Sequence, residues 1–167
     1  MNPTDEVSKE ILKVFGHRLR LRVCGFCVVD NRVLLVRHRG VGSRGELWSP
    51  PGGGLEFGES VHQALEREFR EETGTDITVG PFLCVNEFLG PPLHAVELFF
   101  EVRLRSGAPA PLTGTDPEMQ HQTIEEVRFW EFEALKQKDP AEVHHLFRYC
   151  QRATDLLALR GYFHHQP

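Results

Sequence analysis

The sequence predicts a mixed α/β domain, and three observations support this prediction. The chain has 167 residues, a length that suits one domain with one core. Its composition is that of a globular protein, with 40% hydrophobic and 26% charged residues. Strand-like and helix-like segments are interspersed along the chain, which favours α/β layers or an α+β arrangement. We therefore expect a single domain over residues 1–167.

The first half of the chain predicts a helix, two strands and a long loop. Residues 5–15 carry apolar side chains at helical spacing, and Gly16 is a plausible stop. Strands at 20–29 and 32–38 are joined by the turn pair Asp30-Asn31. Residues 40–58 are rich in glycine and contain two adjacent prolines, so we interpret them as a loop. A loop of that length inside a compact domain is usually functional or disordered.

The second half predicts two helices and three strands. Residues 59–73 have helical periodicity and are followed by Gly74. The next elements are strands at 76–89 and 95–105, a loop at 106–117 that is rich in Pro, Gly and Thr, a strand at 127–132 and a helix at 140–160. The last helix is predicted from an acid-proline start at Asp139-Pro140, from an apolar stripe and from Gly161 as its end.

Charge and hydropathy argue against two classes of partner. The formal net charge is −5, whereas proteins that bind duplex nucleic acid usually carry a basic surplus. A small phosphorylated substrate needs only a local basic patch. No segment approaches the roughly 18 apolar residues of a membrane span, and the polar, acidic start lacks a signal-peptide pattern. We therefore expect no duplex nucleic acid, no membrane and a cytoplasmic location.

Four cysteines raise the question of metal or redox chemistry. Cys24 and Cys27 form a C-x-x-C pattern, but they lie within a predicted strand, where residues three apart point to opposite faces. No second C-x-x-C and no spaced histidine pair completes a zinc set. We interpret all four cysteines, Cys84 and Cys150 included, as small buried residues.

The predicted helix at 59–73 places acidic residues where a helix is normally apolar. On a helical wheel, Glu68 and Glu72 fall inside the apolar arc and Glu71 lies on its flank. Burying unpaired carboxylates costs several kcal/mol each, and their mutual repulsion adds to that cost. A divalent cation would offset both costs, and hard oxygen ligands favour Mg²⁺, Mn²⁺ or Ca²⁺ over Zn²⁺. Arg67 could orient one of these carboxylates.

The loop before this helix supports the same interpretation. Residues 51–58 contain four glycines, which permit tight or left-handed backbone conformations close to a ligand. A backbone carbonyl from this loop could complete a metal shell. By itself, a glycine-rich loop is equally consistent with a plain turn.

Residues 53–75 resemble the Nudix box, G-x5-E-x7-R-E-U-x-E-E-x-G-U, in which U is an aliphatic residue. The residues that carry the resemblance are Gly53, Glu59, Arg67-Glu68, Glu71-Glu72 and Gly74. Phe69 and Thr75 depart from the pattern at positions that are usually aliphatic, and neither is a metal ligand. The resemblance extends over about residues 20–137.

The resemblance implies an α/β/α sandwich, with a mixed sheet between helices. It also implies Mg²⁺- or Mn²⁺-dependent hydrolysis of a nucleoside diphosphate linked to another group. The implied metal ligands are Glu68, Glu72, Glu71 and the carbonyl of Gly53, while Glu59 and Arg67 would orient the loop and the ligands. A late acid often assists in the family, and we favour Glu118 over the alternatives Glu125 and Glu126 because it lies in a loop.

The sequence says less about the substrate. Pro91 lies sixteen positions after the box, as a proline tends to do in family members that hydrolyse ADP-ribose. Four basic residues precede the catalytic loop and could contact phosphates, although a solvated loop is an equally good interpretation: Arg37, His38, Arg39 and Arg44. Trp48 and Phe88 could stack on a base, but an aromatic residue near a strand is more often part of the core.

Three functional hypotheses follow. The first is a hydrolase of ADP-ribose or a similar nucleotide sugar, and the second is a mutator-type nucleoside triphosphate pyrophosphatase. The third is a non-catalytic ligand sensor with the same fold, which the intact acidic set disfavours. Many relatives are homodimers, and we regard a homodimer as possible here.

Overall fold

The computed structural model describes residues 6–106 and 110–167. Its α-helices are Glu6–Phe15 (α1), Val61–Thr73 (α2) and Phe132–Leu135 (α3). Its strands are Arg18–Val29 (β1), Arg32–Arg39 (β2), Glu46–Ser49 (β3), Gly52–Gly54 (β4), Ile77–Gly90 (β5), Leu93–Leu104 (β6), Ile124–Glu131 (β7) and Gly161–His165 (β8). The predicted first helix and the predicted loop at 106–117 each include residues outside the described ranges. No helix in those ranges is both long enough and apolar enough to cross a membrane.

The strands form one mixed sheet. Its order is β3-β2-β1-β6-β5-β8, with β4 paired to β1 and β7 paired to β2. The pairs β1–β6 and β5–β8 are parallel, and the other pairs are antiparallel. Pro91 and Pro92 form the turn that joins the antiparallel neighbours β5 and β6.

The sheet has a separate apolar core on each face. On one face, Val23 and Cys27 pack with Phe69 of α2. On the opposite face, Cys24 and Phe26 pack with residues of α3 and the C-terminal segment. Alternation along β1 therefore sends neighbouring side chains to different layers, as the period of a strand requires. The predicted mixed α/β fold, with a sheet between helical layers, is confirmed.

The cysteines take the places that the strand pattern predicts. Cys24 and Cys27 lie on opposite faces of β1, and all four cysteines are buried and free. The prediction that they are core residues is confirmed.

The prediction of an unbroken loop at 40–58 is wrong, because two short strands lie inside it. Leu47 and Trp48 in β3 pair with β2, and the three glycines of β4 pair with β1. Glycine has low strand propensity, so local sequence gives no signal for β4. Trp48 is buried against Trp130, which makes it a core residue rather than a base-stacking one.

The prediction of a helix at 140–160 is also wrong. The segment forms three 3₁₀ helices, Pro140–Glu142, His145–Tyr149 and Ala153–Ala158. Val143 is extended between the first two because it bridges Trp48, whose carbonyl accepts a hydrogen bond from the His144 N–H at 2.9 Å. This strand-like contact interrupts the helix that the apolar spacing alone would favour. The predicted stop, Gly161, instead begins β8.

Candidate active site

Helix α2 has well-defined ends on both sides. Ser60 and Gln63 form a reciprocal capping box at its start, with hydrogen bonds of 3.2 and 2.8 Å. Gly74 ends it in the left-handed region, at φ 66°. Because Ser60 is the N-cap, Glu59 lies just before the helix instead of inside it. That position lets its carboxylate reach across to Arg67.

Two carboxylates of α2 are buried one turn apart. Glu68 and Glu72 are 6% and 4% exposed, and the side chain of Glu71 is 29% exposed. Burial raises the pKa of Glu68 to about 7, although Arg67 opposes the shift. Burial and the charge of Glu68 raise the pKa of Glu72 well above its ordinary value. The predicted arrangement of these acids on the helix is confirmed, and it favours a neighbouring cation.

Arg67 holds the acidic residues and the glycine strand β4 together. Its guanidinium donates to Glu59 at 2.7 Å, to Glu68 at 2.8 Å and to Glu71 at 3.2 Å. It also donates to the Gly54 carbonyl at 3.0 Å. One planar cation with five donors therefore fixes three carboxylates and a backbone carbonyl.

The glycine strand β4 approaches the same acids closely. The N–H of Gly52 donates to Glu72 Oε2 at 2.9 Å. A Cβ on Gly53 would lie 2.4 Å from the carboxyl group of Glu68, a distance that real Cβ atoms essentially never show. Only glycine at this position lets the Glu68 carboxylate rest against the backbone.

The donor set fits a hard divalent cation. Glu68 and Glu72 are buried, like-charged oxygen donors next to the backbone of Gly53, which is the chemistry that Mg²⁺ and Mn²⁺ favour. Within the described ranges, however, no three His, Cys, Asp or Glu side chains already converge to form a cage. Arg67 engages Glu68 and Glu71, so ion binding would require these side chains to adjust.

A cavity of about 920 Å³ opens beside these acids. Of the candidate catalytic and binding residues from the sequence, seven line it: His38, Gly53, Glu68, Glu72, Phe88, Pro91 and Glu118. Arg20 and Arg22 of β1 also line it. The cavity volume is in the range of small-molecule binding sites.

Arg37, Arg39 and Arg44 do not line this cavity. Arg37 lies 3.5–3.7 Å from Glu46, Glu125 and Glu126, and Arg39 lies 3.7 Å from Glu125. Arg44 pairs with Asp139 at 2.6 Å. Because these three guanidiniums pair with local acids and do not line the cavity, the structure gives no support for their predicted contact with phosphates.

The late acids occupy different environments. Glu118 lines the cavity, and its carboxylate lies 3.4 Å from Arg20. A Cβ on Gly54 would lie 3.2 Å from Glu118 Oε1, so this acid sits close to the glycine strand. Glu125 and Glu126 pair with Arg37 outside the cavity. Position therefore favours Glu118 among the three candidates.

Helix α1 anchors the loop that carries Glu118. The Glu10 carboxylate accepts the backbone N–H groups of Gln120 at 2.6 Å and His121 at 3.1 Å, and it contacts the His121 ring at 2.6 Å. Met119 is buried in the same apolar cluster as Val7 and Ile11. The helix therefore fixes this loop by both charge and packing.

We expect Glu10→Ala to loosen this loop. The variant removes the acceptor for two backbone N–H groups, so amide exchange at Gln120 and His121 should accelerate about tenfold, as for loss of a hydrogen bond to a charged group. Hydrogen exchange followed by NMR measures this directly. Glu6→Ala on the same helix is the control, because Glu6 is exposed and pairs with Lys9. Equal exchange rates in both variants would show that Glu10 does not hold the loop.

Sequence reasoning missed the residues that line the rest of the cavity. Arg20 and Arg22 are two apart in β1, so their alternation could have identified a shared face. Asn86, Glu97 and His144 come from β5, β6 and the C-terminal segment, and they meet in one hydrogen-bonded group. No local pattern joins these three positions.

Comparison with known proteins gives a consistent result. The NUDIX domain model matches residues 18–150. A CTP pyrophosphohydrolase of Escherichia coli (strain K12) is 38% identical over 58 residues, which cover 35% of this chain and 43% of that protein. An ADP-ribose pyrophosphatase of Methanocaldococcus jannaschii is 38% identical over 74 residues, which cover 40% of this chain and 43% of that protein. The chain thus spans less than half the length of these two curated relatives.

A solved structure supports the fold independently. The crystal structure of a MutT NUDIX hydrolase from Burkholderia pseudomallei aligns with a TM-score of 0.63 and 22% sequence identity, and the alignment covers 84% of this chain and 98% of that one. The family match, the acidic helix and the glycine strand agree, and this chain belongs to the Nudix family.

Proposed function

We propose that this protein hydrolyses the diphosphate linkage of a nucleotide-like substrate with the help of a divalent cation, Mg²⁺ or Mn²⁺. The observation that carries the proposal is the pair of buried carboxylates, Glu68 and Glu72, against the glycine strand at the wall of a large cavity. Buried acids of this kind destabilise a protein unless a cation compensates them. The names of the relatives are consistent with this reaction class.

Each side chain has a role in this proposal. Glu68, Glu72, Glu71 and the Gly53 carbonyl would hold the cation. When bound, the cation neutralises diphosphate oxygens and lowers the pKa of a water molecule. Arg67 orients Glu68 and Glu71 through direct hydrogen bonds. Glu118, at the cavity wall, would accept a proton from the attacking water.

Arg20 and Arg22 would bind the phosphates in place of the three arginines predicted from sequence. Arg22 donates to the Gly52 carbonyl at 3.0 Å, which places its guanidinium beside the glycine strand. The Arg20 guanidinium lies over the Phe15 ring, 3.6 Å from its centroid. Guanidinium groups bind phosphate oxygens in a fork geometry.

We expect Arg20→Met to raise KM about tenfold with little change in kcat. This corresponds to the loss of one charge-assisted hydrogen bond that is equally strong in the ground and transition states. Steady-state kinetics on the best substrate measures both constants. Arg39→Met is the matched control, because Arg39 is half exposed and lies outside the cavity. If only the Arg39 variant raised KM, the original prediction from sequence would be right and this one wrong.

The preferred substrate class is a nucleoside diphosphate linked to a second group, such as ADP-ribose or a nucleotide sugar. Pro91 lines the cavity, which is consistent with this class, while the CTP pyrophosphohydrolase relative favours the triphosphate alternative. A screen with Mg²⁺ separates them. Triphosphates would release pyrophosphate, whereas ADP-ribose would give two monophosphates that release phosphate only after phosphatase treatment. A lack of turnover across the panel would favour the sensor hypothesis.

The location and assembly of the protein remain predictions. A cytoplasmic location and a homodimer are both compatible with a nucleotide hydrolase. Cell fractionation tests the first and light scattering tests the second.

A further inference from the structure

A group of buried polar side chains lines the cavity away from the acidic helix. Asn86 and Glu97 are directly opposite each other on the paired strands β5 and β6. Asn86 is fully buried, and Glu97 is 6% exposed. His144 joins them from the C-terminal segment, and all three residues line the cavity. None of them belongs to the Nudix box.

One carboxylate oxygen fixes the orientation of this group. Glu97 Oε2 accepts a hydrogen bond from the Asn86 side-chain amide at 2.8 Å and lies 3.0 Å from His144 Nε2. The Leu146 N–H donates to His144 Nδ1 at 3.4 Å, so Nε2 carries a proton and donates it in the hydrogen bond to Glu97. Since a carboxylate only accepts, the amide NH₂ of Asn86 must face Glu97 and its oxygen must face away.

Two acceptor oxygens then remain without a hydrogen-bond donor. Asn86 Oδ1 is buried and has no partner among the described residues. Glu97 Oε1 makes none of the hydrogen bonds of this group, and its nearest cation is Arg22 Nη1 at 3.7 Å. Although burial alone would raise it, His144, Arg22 and Asn86 bring the pKa of Glu97 to about 2, so this residue is an anion. A buried acceptor without a donor, as Asn86 Oδ1 is, is rare because it loses hydration without compensation.

Arg22 connects this group to the catalytic end of the cavity. It contacts Glu97 on one side and donates to the Gly52 carbonyl on the other. A ligand whose phosphates lie at the glycine strand could therefore place another part of itself against the two free acceptors. That part must bring N–H or O–H donors, since both protein atoms can only accept.

We infer that Asn86 Oδ1 and Glu97 Oε1 select substrates whose nucleobase carries an exocyclic amino group. The inference rests on the proposed function, because it assigns a part of that substrate. Adenine, cytosine and guanine carry such amino groups, and a carboxylate is a known acceptor for the cytosine amine. Uracil carries a carbonyl where cytosine carries its amine, and hypoxanthine carries one where adenine does, so either carbonyl would face two acceptors. Where guanine carries its amine, hypoxanthine has only a carbon-bound hydrogen and offers no N–H donor. A ribose hydroxyl is the other possible donor.

Binding of nucleoside monophosphates to the metal-free 167-residue chain tests the inference without relying on turnover. The pairs are CMP with UMP, AMP with IMP, and GMP with IMP, measured by isothermal titration calorimetry. We expect the amino-bearing nucleotide of at least one pair to bind at least tenfold more tightly, because the other nucleotide of that pair leaves the protein acceptors unpaired. Equal affinities in all three pairs, or no binding of any nucleotide, would overturn the inference. If the protein bound CMP more tightly than dCMP but bound CMP and UMP equally, the donor would belong to the ribose. That result would also overturn the inference.

Glu97→Gln gives a sharper test. The glutamine carbonyl would keep the Oε2 position, since Asn86 and His144 both donate to it, and the new NH₂ would replace Oε1. The side chain would then present a donor to the cavity. For the pair of nucleotides that the wild type distinguishes, we expect the ratio of affinities to fall below threefold or to reverse. Glu101→Gln is the control on the same strand, because Glu101 pairs with Arg103 and does not line the cavity. An unchanged preference in folded Glu97→Gln would count against the inference.

The two proposals can fail separately. If the protein distinguished the monophosphates but showed no Mg²⁺-dependent turnover, the proposed hydrolysis would be wrong and the recognition site would stand. Turnover with equal kcat/KM for CTP and UTP, and for ATP and ITP, would keep the hydrolase and overturn the recognition site. The comparison of nucleotide affinities in the wild-type protein remains a valid test if the Glu97 variant does not fold.

Discussion

We expect Glu72→Gln to lower kcat by about two to three orders of magnitude, the size of effect that follows loss of one electrostatic group in a catalytic site. The amide can still accept the hydrogen bond from the Gly52 N–H, so the glycine strand keeps its position. The negative charge that would hold the cation is lost. Because burial opposes that charge, the metal-free variant should melt at the same temperature as the wild type or higher. Kinetics and thermal melting with and without Mg²⁺ measure both effects.

Glu66→Gln is the control for this experiment. It makes the same chemical change on the same helix, but Glu66 is partly exposed and lies 3.4 Å from Arg105. Its kcat should equal that of the wild type. Near-normal turnover in Glu72→Gln would remove the proposed metal role of this residue, and stabilisation of that variant by Mg²⁺ to the wild-type extent would do the same.

Arg67→Met should lower kcat by about tenfold to a hundredfold, the usual effect of removing a residue that orients metal ligands. The substitution leaves Glu59, Glu68 and Glu71 without their shared donor. Arg67→Lys keeps the charge but not the planar fork, so we expect an intermediate loss. Titration with Mn²⁺, followed by the paramagnetic signal of the free ion, should show weaker binding in both variants.

Arg70→Met distinguishes this effect from a general loss of helix charge. Arg70 lies one turn further along α2, is 61% exposed and pairs with Asp76 at 3.0 Å. Its loss should leave kcat and Mn²⁺ affinity unchanged. Equal activity in the Arg67 and Arg70 variants would contradict the orienting role proposed for Arg67.

The sequence predicts the parts of the site that depend on spacing within one helix. The positions of Glu68, Glu71 and Glu72 follow from 3.6 residues per turn, and the structure places them accordingly. The end of α2 at Gly74 and the two faces of β1 follow equally from local rules. Contacts between residues that only the sheet brings together do not follow from local rules. Segment β4 is a strand because β1 pairs with it, and its glycines have no strand propensity of their own.

The same distinction explains which site residues sequence reasoning missed. Arg37, Arg39 and Arg44 were plausible phosphate ligands by proximity to the loop, but tertiary pairing gives them acidic neighbours. Asn86 and Glu97 are eleven residues apart, and only the register of β5 and β6 makes them neighbours. The break between the first two 3₁₀ helices likewise coincides with a contact between Val143 and Trp48 that helical periodicity cannot reveal.

The contribution of α1 to the cavity wall has a practical consequence for protein engineering. Ile11, Leu12 and Phe15 face the cavity, while Glu10 holds the Glu118 loop. All four residues precede the segment matched by the family model. A recombinant fragment trimmed to that segment would lose part of the ligand enclosure and the anchor of one loop, so weak binding or turnover in such a fragment would misrepresent the 167-residue chain.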